Sequence, residues 1–71
     1  MNNKMLEALE KKYKAQKMIA KTNLSLYLSN PVAVAEHPDV VDTIDKLFRQ
    51  YAEAVEYIEI LRELDYEFAR H

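Results

Sequence analysis

NPVAVAEHPD, residues 30–39, holds both prolines of the chain, Pro31 and Pro38, and nowhere is there a glycine. Proline lacks the backbone donor a helix needs and disfavours helical geometry in the residue before it, so helices stop ahead of such a stretch or start at it. On both sides, Ala, Leu, Glu, Lys, Gln, Arg and Met fill most positions, and these residues lose least on entering a helix. The segment therefore predicts helix 1 over about residues 3–29, a corner over 30–37 and helix 2 over about 38–69. Pro38 suits a first helical position with His37 as the N-cap, and Asp39 and Asp42 complement the positive end of the helix dipole. Asn30-Pro31 repeats the pattern and would give Val32 to Glu36 a short turn of their own. Eight residues suffice to reverse the chain. The expected fold is all-α, an antiparallel two-helix hairpin forming a single domain over residues 1–71.

Apolar spacing fixes how such a hairpin packs. In helix 2, Val40, Ile44, Leu47, Tyr51, Ala54, Ile58, Leu61, Asp65 and Phe68 recur in steps of four and three, the seam of a coiled-coil-like helix. Val41, Phe48 and Val55 widen it on one side in the first half. Tyr57, Leu64 and Phe68 widen it on the other side in the second half, with Ile60 just beyond. In helix 1, Leu6, Leu9, Tyr13, Ala20, Leu24 and Tyr27 form a seam interrupted by Gln16 and Asn23, flanked by Ala8, Ala15, Ile19 and Leu26. One antiparallel partner covers one stripe, and these stripes are wider than the ~100° of an ordinary surface helix.

Size points the same way. A chain of 71 residues is near the limit for a self-sufficient core, and small proteins make up the deficit with disulfides, metals or oligomerisation. There is no cysteine and only two histidines, so self-association is the route left. Homo-oligomerisation into a four-helix bundle satisfies all the stripes. The expected interface comprises Tyr57, Ile60, Leu64 and Phe68 with Ala8, Ala15, Ile19 and Leu26, the alanines permitting close approach. Gln16 and Asn23 read first as the wet edge of the seam and second as a register device.

Charge divides between the helices. Residues 1–29 carry six lysines against two glutamates, a net +4; residues 30–71 carry four cations against ten carboxylates, a net −6. The plain reading is that opposite charges favour helix pairing and keep the surface soluble. A nucleic-acid-linked role is the alternative, with the lysines of helix 1 meeting phosphates or the acids of helix 2 imitating them. An acidic balance, few arginines and no binding motif weigh against it.

Little in the sequence suggests chemistry. Glu53, Glu56, Glu59 and Glu63 share a helix face, but without a Glu-x-x-His pair or an inward aim they read as a solvated acidic ridge and not a metal site. Ser25 and Ser29 have no evident base, and a phosphate-binding loop needs glycine. No cofactor and no enzyme activity are expected. The N-terminus lacks a signal-like apolar run and no stretch approaches a membrane span, so no membrane partner is expected and the location reads as cytoplasmic. At the corner, Val32 and Val34 would plug the end of a bundle, or with His37 form a docking tip. The sequence thus describes a small non-enzymatic helical interaction protein, an adaptor, assembly factor or inhibitor whose partners are itself and another protein. Its size suits a phage or mobile-element accessory protein, with no motif to carry that.

Overall fold

The computed structural model describes residues 3–30 and 39–69, and within them two long helices lie side by side. Helix α1 spans Lys4–Ser29 and helix α2 spans Val40–Ala69. The pair is antiparallel: Tyr13 meets Tyr57, and Gln16, one turn further along α1, reaches back to Gln50. No strand occurs among the described residues. The result is a rod of 55 × 15 × 14 Å with a radius of gyration of 16.0 Å, against about 11 Å for a globular chain of this length.

Asn3 starts α1. Its side-chain oxygen accepts from the backbone N–H of Met5 at 2.9 Å and of Leu6 at 3.1 Å, while its carbonyl takes the first helical bond from Glu7. Two of the orphan donors of a helix start are thereby satisfied. At the other end, the Ser29 hydroxyl donates to the Ser25 carbonyl and the Ser25 hydroxyl to that of Lys21. Both hydroxyls are thus engaged within their own helix.

Helix α2 begins at Val40, two residues later than the prolines suggest, and the Asp39 carbonyl accepts from Thr43 N–H at 3.1 Å. The N-cap role of His37, the place of Pro38 at the helix start, the turn over Val32 to Glu36 and the plug or docking role of Val32, Val34 and His37 all lie outside the described residues.

The two helices meet along their predicted seams, and the seam is shallow. Among the described residues the buried apolar ones are Ala20, Val40, Ala54, Ile58 and Leu61, and no large side chain is fully enclosed. The closest-packed positions are alanines, Ala20 at 1% and Ala54 at 0% exposure. Leu6, Tyr13, Leu24 and Tyr27 of α1 and Ile44, Leu47 and Tyr51 of α2 are only half-buried. Phe68 departs from the seam and is 63% exposed. The pairing register explains it: Asp65 and Phe68 lie beside Asn3, where α1 starts, so the last turn of α2 stands at the end of the seam.

Candidate interaction surface

A two-helix rod has two broad sides, and the apolar residues left outside the seam are shared unequally between them. On one side, called the front, Lys12, Ala15, Gln16 and Ile19 of α1 stand across a shallow groove from Gln50 and Glu53 of α2. Further along the same side, Leu9 and Tyr13 face Tyr57, Ile60 and Leu61 across a second groove. Helical spacing extends these rows. The front row of α1 is Met5, Ala8, Lys12, Ala15, Ile19, Thr22 and Leu26. That of α2 is Asp42, Lys46, Gln50, Glu53, Tyr57, Ile60, Leu64 and Phe68.

The residues expected at an oligomer interface therefore come from two helices but fall on one side of the hairpin. Ala8, Ala15, Ile19 and Leu26 are exposed, as are Tyr57, Ile60 and Phe68, while Leu64 is half-buried. Two are less isolated than their spacing implies. The Tyr57 ring packs edge-on against Tyr13 with centroids 5.0 Å apart. Ile60, 41% exposed, shares its groove with Leu9. Such edge-to-face ring pairs add stability beyond area burial alone, so the front patch is partly organised by the hairpin itself.

The α2 row changes character halfway. Asp42, Lys46, Gln50 and Glu53 are polar; Tyr57, Ile60, Leu64 and Phe68 are large and apolar. At the junction, Gln16 is half-buried and its Nε2 donates to the Gln50 carbonyl at 2.9 Å. Gln16 thus borders the front groove and still ties one helix to the other, combining features of both readings of this amide. Asn23 is half-buried.

Charge is arranged locally. Lys11 pairs with Glu7 at 3.3 Å, Lys14 with Glu10 at 3.1 Å and Arg49 with Asp45 at 3.0 Å. All are one-turn pairs along a single helix, a type contributing only a few tenths of a kcal/mol. Among the described residues no ion pair crosses from α1 to α2, so the opposite net charges of the two helices are not joined by a direct ion pair there. Lys12 lies with its Nζ 5.8 Å from the Tyr13 ring centroid. The acidic ridge of Glu53, Glu56, Glu59 and Glu63 is exposed throughout. Among the described residues no group of histidines and carboxylates is placed to hold a metal ion, and no helix is long and apolar enough to cross a membrane.

The sequence reading missed part of the surface. Met5 belongs to the front row, three residues before Ala8, and that spacing was signal enough to find it. On the opposite side, Leu28 of α1 joins Val41 and Phe48 of α2 as exposed apolar residues near the end where α1 finishes. The widening at Val41 and Phe48 was legible, but Leu28 gave no sign because no row connects it to them. No protein-family model, curated protein or solved structure matches this chain.

Proposed function

We propose that this chain is a non-enzymatic interaction module whose front face is used first for self-association, giving a dimer built as a four-helix bundle. The observation that carries this reading is the collection of Ile19, Leu26, Tyr57, Ile60 and Phe68, all exposed, on one side of a hairpin that encloses no large side chain among the described residues. Area supports it. The chain exposes 5769 Å², whereas a compact chain of this size exposes about 4600 Å². The excess of roughly 1200 Å² compares with the ~800 Å² that each partner buries in a standard stable interface. Burial at ~25 cal/mol per Å² then supplies the apolar stabilisation that a single hairpin lacks.

The test is solution mass by light scattering over a range of concentrations. A dimer mass is expected, and a monomer at every concentration overturns self-association. Ile60→Glu should shift the dimer towards monomer by at least tenfold in dissociation constant, because it seats a charge in the apolar half of the row. Ile60→Ala, which adds no charge and disturbs the hairpin less, should move it the same way by a smaller step. Unchanged association in both variants removes the front face from the interface.

A further inference from the structure

We infer that the two copies are related by a two-fold axis running along the helices, so that α1 of one copy lies over α2 of the other at the same level. This rests on the self-association proposed above and specifies its geometry. Two hairpins stacked front to front can be related by an axis along the rods or by one across them. The lengthwise axis keeps every level in place and pairs α1 with the partner's α2. The crosswise axis inverts the levels and pairs each helix with its own copy.

The α2 row decides between them. With the crosswise axis at the middle of the rod, Tyr57, Ile60, Leu64 and Phe68 fall on the polar half of the same row, where Asp42 and Lys46 stand. Large apolar side chains would then be buried against charges. Sliding the rods until the apolar halves meet leaves Ile19 and Leu26 uncovered and brings Glu63 of one α2 level with its own copy and Glu56 level with Glu67 of the other. The lengthwise axis keeps the carboxylates of the two α2 helices apart and confines the mismatch to α1, where Ile19 and Leu26 fall at the level of Gln50, Lys46 and Asp42. The apolar half of α2 meets Met5, Ala8 and Leu9 at its own level, with Lys12 beside Tyr57, and Ala8 allows close approach.

Electrostatics agree. The lengthwise axis sets a +4 segment over a −6 segment, and the crosswise axis sets each over a copy of its own sign. Since no ion pair links α1 to α2 within the hairpin among the described residues, this complementarity is available to the second copy. Lys12 and Glu53 line the same groove at neighbouring levels and would face each other across the axis. Complementary charge of this kind fixes register and excludes wrong pairings more than it adds affinity.

The chain contains no cysteine, so single labels can be placed cleanly on the full-length protein. Ser29→Cys and Lys4→Cys mark opposite ends of α1, both at exposed positions. Each would carry a nitroxide spin label for dipolar distance measurement, alongside the mass of the labelled protein. With the lengthwise axis the two α1 helices lie diagonally across the bundle, about 14 Å apart for helices packed at 8–10 Å. Both labels should then report distances below about 30 Å. The crosswise axis separates the two Ser29 positions by about 38 Å or more at 1.5 Å rise per residue. A dimer with either label at about 38 Å or beyond overturns the axis and leaves self-association standing. A monomeric mass at all concentrations overturns the reading on which the axis rests.

Discussion

Gln16 does two things that pull in opposite directions. It interrupts the apolar seam of α1, and it donates the one side-chain hydrogen bond that links α1 to α2 among the described residues. The Gln50 carbonyl has a second lone pair beyond its helical bond, so accepting this donor costs the helix nothing. A net hydrogen bond contributes about 0.5–1.5 kcal/mol. Gln16→Ala should therefore lower stability by about 1 kcal/mol, read as a lower urea midpoint at fixed protein concentration with the slope unchanged. A midpoint that does not move would make Gln16 merely a polar residue at a wet edge. The bond also has a register role, because sliding one helix by a turn separates Gln16 from Gln50 while the apolar stripes still overlap. Apolar periodicity alone does not choose between such registers.

At the scale of the helices, the approach of α1 and α2 is set by alanines. Ala54 is fully enclosed, so Ala54→Leu must push the helices apart or force a strained rotamer, at about 1–3 kcal/mol. The expected outcome is a lower denaturation midpoint with helicity retained by circular dichroism; an unchanged midpoint would mean the helices have room to spare there. This layer was legible in the sequence to differing degrees. The prolines and the absence of glycine were enough to locate both helices, and steps of four and three found the seam. The run of helix formers placed the start of helix 1 near residue 3, whereas the capping role of the Asn3 side chain emerges only from the structure. The sequence was less informative about depth. Tyr51 reads as a core ring but is half-buried, because a seam covered by one helix has no second wall. Phe68 reads as seam but is exposed at the end of the seam beside Asn3, since the pairing register depends on the partner helix. The polar half of the α2 row went unnoticed as a feature, because Asp42, Lys46, Gln50 and Glu53 look like ordinary surface until Gln50 and Glu53 are seen to share a side with Tyr57 and Ile60.

For the whole molecule, the question is which side of the rod carries the self-association and whether the chain folds apart from it. The back side offers its own apolar residues, with Phe48 60% exposed, so an effect at Ile60 alone would not distinguish a specific face from general stickiness. Phe48→Glu makes the comparison. It introduces a charge comparable to that of Ile60→Glu at a similarly open position, and it should leave the dimer mass unchanged if the front face is the interface. Equal loss of dimer from both variants would point to unspecific association. Coupling of folding to association has a separate signature. When only the folded pair is populated, melting temperature rises with protein concentration by mass action. A tenfold rise contributes about 1.4 kcal/mol, and the unfolding entropy of two such chains is about 0.3 kcal/mol per degree. The expected shift is therefore roughly 4–5 °C per tenfold, readable by circular dichroism at three or four concentrations. A melting temperature independent of concentration would mean that the shallow seam with its enclosed alanines holds the hairpin together unaided. In that case the front face would be a surface the folded monomer presents, and the search for what it binds would turn to other chains.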